Sequence, residues 1–453
     1  MRKYNGYSPR ASLAGVGVWF TEHRIWDVVS ANVVIDQKVI VHTPTEKLLD
    51  AFIGILAGGR GVVEVNTVVR PDGVLQRAFG RTACAEQSTI SQTLDASTTL
   101  NVAQLRAASD EVFKRHAKCL RHDYRRAWQL LDVDITGMPA GRQGEGVTKG
   151  YFAGRKNCRG RQLGRVLATR YDEIVVDRLF TGKRQLVDSL KTLVRLAEQS
   201  LVLSPAQRRR TILRIDGGGG SDPNINWMLN RGYHLVAKVH TWTRAVKLAA
   251  SVRRWYADPK VADREVGWVT SPHAYRRPTR QIAIRKRKKD GTWSYHALVT
   301  TLDDAALFEM AGCRVPRRPS RKAVLLAALH AYDLRGGGLE TQNRGDKQGL
   351  GLAHRNKRRF LAQEMLVLLA QLAHNVTVWA RDAIAKADAA FQRFGVQRVV
   401  RDLFHVPGHI TFDHRGRLSH IALNWRHPYA PAICSGFRQW LGADKMLFLL
   451  DKT

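Results

Sequence analysis

Residues 128–239 change their periodicity in an order that few folds share, and this constrains the architecture more than any single motif. The run WQLLDVDI places Leu131, Val133 and Ile135 on one face of an extended chain and Asp132 and Asp134 on the other. GRQLGRVLA and EIVVDRLFTG read as two further strands joined by the turn TRYD. KRQLVDSLKTLVRLAEQSL then switches to the helical period, with Leu186, Leu190, Leu193, Val194 and Ala197 on one face. RTILRID is a short strand ending in Asp216, and SDPNINWMLNRG is a short helix with Pro223 in its first turn and Gly232 at its stop. YHLVAKV closes the set as a strand.

Three strands followed by helix, strand, helix and strand predict an α/β fold whose best match is the ribonuclease-H-like mixed sheet. That analogy demands that acids on the first and fourth strands be neighbours and that a third acid come from a later helix. Residues 240–316 read as a β-rich insertion, with QIAIRKRKKDGTWSYHALVTTL forming a hairpin around Asp290-Gly291. A helix resumes in RKAVLLAALHAYDLR. The segment FLAQEMLVLLAQLAHNVTVWA repeats Leu361, Met365, Leu368, Leu372, Val376 and Trp379 at helical spacing. With Glu364, Gln371, His374 and Asn375 in it, this segment is too polar to span a membrane and reads as a buried helix whose His374 has no functional role. The expected division is a helical N-terminal DNA-binding region (1–127), a catalytic core in two parts (128–239 and 317–387) around the insertion, and a C-terminal region (388–453).

The stretch YDLRGGGLETQNRGDKQ sets three helix-breaking glycines beside Glu340, Arg344 and Lys347, which share one helical face at i, i+4 and i+7. Asp134, Asp216 and Glu340 are the candidate catalytic acids. Each alone has an ordinary reading: a strand edge for Asp132 or Asp134, a turn for Asp216, a surface ion pair for Glu340. Together they form a hard-oxygen set of the kind that holds Mg²⁺ while leaving sites for phosphate and water. Two such ions activate the attacking hydroxyl and stabilise the leaving oxygen in phosphoryl transfer.

The charge agrees with a polyanionic partner. The chain has 453 residues and a net charge of +34, the electrostatic footprint of nucleic-acid binding. Cys84, Cys119, Cys158, Cys313 and Cys434 form no CxxC pair, which implies neither a zinc knuckle nor a disulfide framework and fits a reducing cytoplasm. The N-terminal MRKYNGYSPRASLAGVGVWF is a poor signal peptide.

The segments LLDVDITG, LRIDGGGGS and YDLRGGGLETQNRGDKQ together resemble the Asp-Asp-Glu transposases of bacterial insertion sequences, in the cut-and-paste group with a Tyr-Arg-Glu-Lys signature. In that signature two residues separate Tyr from Arg, three separate Arg from Glu and six separate Glu from Lys. Tyr332 and Arg335 keep the first gap, and Glu340 and Lys347 the last. The middle gap holds four residues, Gly336, Gly337, Gly338 and Leu339. Either Arg335 or Arg344 is therefore available for the phosphate role, beside Tyr332 and Lys347. The family context, Asp followed by Ile135 and Thr136, favours Asp134 over Asp132 as first acid. The resemblance implies two Mg²⁺ ions, with Mn²⁺ as a substitute, bound by Asp134, Asp216 and Glu340. It also implies cleavage at transposon ends without a covalent enzyme intermediate, strand transfer into target DNA, and a homodimer on DNA at the bacterial nucleoid. Two alternatives stand beside it: a non-catalytic DNA-binding protein descended from such an enzyme, and a ribonuclease-H-like nuclease that joins nothing.

Ahead of the core, LQRAFGRTACAEQSTISQTLDAST resembles a helix-turn-helix whose second helix would offer Gln87, Ser88, Ser91 and Gln92 to DNA; an ordinary capped helix fits equally. The basic runs RRPTRQIAIRKRKK, RVPRRPSRK and HRNKRRF read as backbone contacts. Trp242, Trp255, Trp268 and Trp293 in the insertion read first as core. DGGGGS lacks the Gly-Lys-Ser/Thr of a P-loop, so no nucleotide cofactor is expected.

Overall fold

The computed structural model describes residues 6–150, 152, 158–442 and 447–451; part of the N-terminal basic segment lies outside them. The architecture is mixed α/β. Gln129–Pro139, Arg159–Ala168 and Glu173–Thr181 form an antiparallel meander, and Thr211–Ile215 and His234–Lys238 add to its first strand in parallel. Among these five the spatial order is third, second, first, fourth, fifth.

The β-rich region continues this sheet and does not form a separate one. Trp293–Thr300 pairs antiparallel with His234–Lys238, and Arg280–Arg287 and Arg264–Trp268 follow outward. Gly291 takes φ +80°, as the hairpin turn requires.

Alternation assigns the two faces of the sheet. Leu131, Val133, Leu213, Ile215, Leu235 and Ala237 join the larger apolar cluster, together with the helices Leu186–Ser200 and Phe360–Ile384. Leu130, Ile212, Val236 and Leu298 join a second cluster under the helix Arg321–Arg335.

Phe360–Ile384 is buried along almost its whole length, because the sheet covers one side and N-terminal helices the other. Those helices include Pro44–Leu56 and Thr99–His116, closed at their starts by capping boxes from Thr43 with Glu46 and from Thr98 with Asn101. The larger apolar cluster has members from Ala11 to Phe448. A four-stranded sheet of Gly6–Ser8, Gly408–Phe412, Leu418–Asn424 and Leu447–Asp451 joins the two ends of the chain. Among the described residues no helix is long and apolar enough to cross a membrane.

The glycine run does not break the helix. Arg321–Arg335 continues into a π-helical turn, Gly336–Glu340, and then into Thr341–Gly349, with right-handed helical dihedrals at the junctions. Glycine costs a helix about 1 kcal/mol per residue, but here packing requires one of the three. A Cβ on Gly338 would lie 2.9 Å from Thr169 Cγ2 and 3.1 Å from Asp132 Oδ2.

Candidate active site

The parallel register builds one wall of the site. Asp132 pairs with Arg214, and Arg214 with Val236. Two residues further along, just past the last parallel pair, Asp134 within the first strand, Asp216 directly after the fourth and Lys238 at the end of the fifth fall in one row. They share the face covered by Arg321–Arg335, since alternate residues point the same way.

Asp132 and Asp134 therefore share a face but not a role. Asp132 is buried and takes two hydrogen bonds from Arg214, Nε to Oδ1 at 2.6 Å and Nη2 to Oδ2 at 2.7 Å. Arg214 Nη1 also donates to the Ala331 carbonyl, tying the helix to the sheet. Asp134 lies beyond that pair and faces Arg335.

Arg335 stands among all three acids. Its Nη2 is 2.8 Å from Asp134 Oδ2 and 3.9 Å from Asp216 Oδ2, and its Nη1 donates to Glu340 Oε1 at 3.0 Å. The four-residue gap between Arg335 and Glu340 is what the π turn accommodates. Five residues in α geometry would swing Glu340 about 140° away from Arg335, whereas the wider turn brings it back to the same side.

Three carboxylates against one guanidinium leave excess negative charge. Burial pushes the Asp134 carboxyl up to about 7; Asp216 and Glu340 add to the rise, while Arg335 and the Ile135 N–H oppose it. The Arg335 guanidinium is the counterpart, held more firmly charged by Asp134 and Asp216 against its own burial. With Arg335 between them the acids do not close on a common centre, and among the described residues no group of three His, Cys, Asp or Glu could hold a metal ion as placed.

The other signature residues sit around this cluster. Tyr332 is half-buried beside Arg335, and burial pushes its phenol up. Lys347 Nζ donates to Thr136 Oγ1 at 2.7 Å and to the Gly137 carbonyl at 2.9 Å, clipping its helix to the strand that carries Asp134. Burial and Arg165 bring its ammonium down to about 8. Arg344 is exposed on the same helix.

Behind that helix lies a buried network that sequence reasoning missed. Asp346 receives Arg165 Nη1 at 2.5 Å and faces His374 Nδ1 at 2.7 Å, while Arg165 also grips Asp177 through Nε and Nη2. His374 Nε2 faces the Asp172 carbonyl at 2.8 Å. Both ring nitrogens thus meet oxygen atoms. Despite burial, His374 and Arg165 hold the Asp346 carboxyl below its usual range. The polar interruption of an otherwise apolar helix at His374 was the available signal.

Lys238 was also missed. It is half-buried, its ammonium makes no hydrogen bond or ion pair among the described residues, and burial shifts it down against the opposing pull of Asp216.

The helix Gln87–Ala96 packs on Pro44–Leu56 and Phe360–Ile384. Gln92 is exposed, Gln87 and Ser88 are half-buried, and Ser91 Oγ accepts from Lys357 Nζ at 2.5 Å. None of the four hydrogen-bonds to the acid cluster. The HRNKRRF run is largely engaged inside the protein: Arg355 donates to the Gly59 carbonyl, Lys357 also to Asp95, and Arg359 to the Asp95 carbonyl. Lys286 to Lys289 are exposed beside Arg285, whose guanidinium lies 4.4 Å from the ring centres of both Trp255 and Trp293. Trp268 donates to the Arg321 carbonyl, and Trp242 is 65% exposed.

No family model and no curated protein matches the chain. A cryo-EM structure of the piggyBac transposase synaptic complex with hairpin DNA is similar at 13% identity and a TM-score of 0.48, over 97% of this chain and 83% of that one, a likeness that fixes neither fold nor activity.

Proposed function

We propose that the chain is a DNA transposase of the insertion-sequence kind, with a ribonuclease-H-like core in which Asp134, Asp216 and Glu340 hold two divalent ions, Mg²⁺ or Mn²⁺. The observation that carries this reading is the convergence of three carboxylates, from three separate segments, on one guanidinium. The strand order supports the ribonuclease-H-like core, and the charge of +34 supports DNA as partner.

The residues fit such ions by donor chemistry. Hard carboxylate oxygens suit Mg²⁺, and their excess charge over Arg335 suits a dication. Arg335 Nε is buried without a hydrogen-bond partner among the described residues, so the guanidinium is incompletely satisfied where it stands and able to give way. Bound there, the ions would supply activation of a water or 3′-hydroxyl and stabilisation of the leaving oxygen. The chain's own residues position the rest. Lys347 fixes the Glu340 helix against the Asp134 strand, while Tyr332, Arg344 and a withdrawn Arg335 would face DNA phosphates. The same reading places the protein in the bacterial cytoplasm, as a homodimer on paired transposon ends.

The test is incubation of the purified chain and its Glu340→Gln variant with DNA bearing the element's ends and Mg²⁺. Wild type should cut and join, and the variant should bind without cutting. Binding without cleavage across divalent ions would favour a non-catalytic DNA-binding protein. Cleavage without joining would favour a nuclease.

A further inference from the structure

Lys238 ends its strand one position over from Asp216, in the row that runs Asp134, Asp216, Lys238. Neighbouring strands lie about 4.8 Å apart, so the row sets a cation immediately beside the second acid. The tetraglycine loop after Asp216 holds it there. A Cβ on Gly220 would lie 1.8 Å from the Lys238 carbonyl oxygen, and one on Gly217 would touch the Lys238 side chain at 3.7 Å. His240 N–H donates to the Gly220 carbonyl at 3.1 Å, and His240 Nδ1 faces the Gly217 carbonyl at 2.6 Å, closing the loop over the strand end. Glycine is needed because the loop backbone lies directly on the next strand.

The result is a half-buried ammonium with no hydrogen bond or ion pair among the described residues. His296, two residues from Leu298, the register partner of Lys238, projects from the same face. A partly desolvated cation with no direct hydrogen bond is costly unless a further anion completes it, and Asp216 acts on it only through space. Arg335 donates to Glu340 and faces Asp134 and Asp216; the Lys238 ammonium has only the through-space pull of Asp216.

We propose that Lys238 is a positioning residue that holds a DNA phosphate next to Asp216. This rests on the transposase reading for the identity of the DNA, and it assigns a phosphate contact outside the Tyr332-to-Lys347 segment. The row would then read as two acids for the reacting centre and one base for a phosphate beside it.

Wild type, Lys238→Gln, Lys238→Met and Lys238→Arg would be compared on end-bearing duplex DNA in a salt series and in Mg²⁺-dependent cleavage. Loss of one phosphate contact lowers the slope of log K against log salt by about 0.9. The Gln and Met variants should show that drop and cleave about 100-fold more slowly, as expected for a misplaced reacting group. Lys238→Arg should restore the slope. A single neutral methylphosphonate, scanned along the end, should at one position erase the difference between wild type and Lys238→Gln. Thermal stability should not fall, since the ammonium has no internal partner. Unchanged slope and rate, or a slower rate with an unchanged slope and no such position, would overturn the proposal. Should wild type bind DNA but cleave nothing, the transposase reading fails while the slope and methylphosphonate measurements still decide whether Lys238 meets a phosphate. Absence of DNA binding would overturn both.

Discussion

Deletion of Gly337 should preserve the acid cluster, although it shortens the segment carrying one of its members. In the intact chain, Glu340 lies five positions after Arg335, and the π turn lets Arg335 Nη1 reach Glu340 Oε1 at 3.0 Å. With Gly337 removed the step is four residues, about 400° in α geometry, which returns Glu340 to within about 40° of Arg335. Gly337 is the residue to remove because it is exposed and a Cβ there meets nothing within 4 Å, whereas Gly338 is wedged against Thr169 and Asp132. Losing an interior glycine also favours the helix by about 0.5–1 kcal/mol. Deleting Gly336 and Gly337 together overshoots, rotating Glu340 by about another 100°. Thermal unfolding and Mg²⁺-dependent cleavage would be measured on all three chains. The single deletion should fold at least as stably as wild type and cleave, and the double deletion should fold and not cleave. A single deletion that folds normally yet cleaves no better than the double would refute the reasoning that the π turn exists to restore phase.

Other outcomes separate structural from reactive groups. Asp132→Asn breaks a buried paired charge and should cost about 3–5 kcal/mol in urea unfolding, whereas Asp134→Asn removes a charge that burial and its acidic neighbours disfavour, and should leave stability within about 1 kcal/mol while abolishing cleavage. Gly220→Ala drives a Cβ into the Lys238 carbonyl; an overpacked change of this kind costs about 1–3 kcal/mol, readable as a lowered melting temperature. His116 sits among Trp19, His23 and Trp379, and burial, with His23, Arg115 and Arg121 adding repulsion, brings it down to about 4. The unfolded chain, with an imidazole pKa of about 6.5, takes up a proton that the folded chain refuses. Stability from this group is therefore full above that pH and lost as pH falls toward 4. Because the ring is only half-buried, solvent screening reduces the effect to about 1–2 kcal/mol; urea unfolding across that window should show it, and His116→Phe should flatten it.

What the sequence made legible follows from periodicity, and what it hid follows from register. Alternation and helical spacing suffice to read three strands, helix, strand, helix and strand, and that order places Asp134 and Asp216 on adjacent strands. Alternation cannot separate Asp132 from Asp134, since both point the same way; the pairing of Asp132 with Arg214 across the sheet does so in physical terms. The glycine run misleads for a related reason. Propensity is local, while the close approach of Gly338 to Asp132 and the return of Glu340 toward Arg335 are tertiary demands. The extra residue in the signature, which at first sight displaces Arg335, is the residue that a π turn absorbs.

Lys238 was the least visible. A lysine at the end of HLVAKV looks like any charged strand edge until the offsets linking three strands put it in line with two acids. That alignment gives it a chemical reading. Moving along the row from Asp134 to Lys238 crosses from excess negative charge to a cation without a direct hydrogen bond within about two strand spacings, or about 10 Å. A divalent ion is drawn to one end of such a row and a phosphate to the other, so DNA entering with its backbone across the strand ends would meet its reacting and holding groups in a fixed order. The rigid parallel sheet, and not the mobile ends of long side chains, would then set the distance between them.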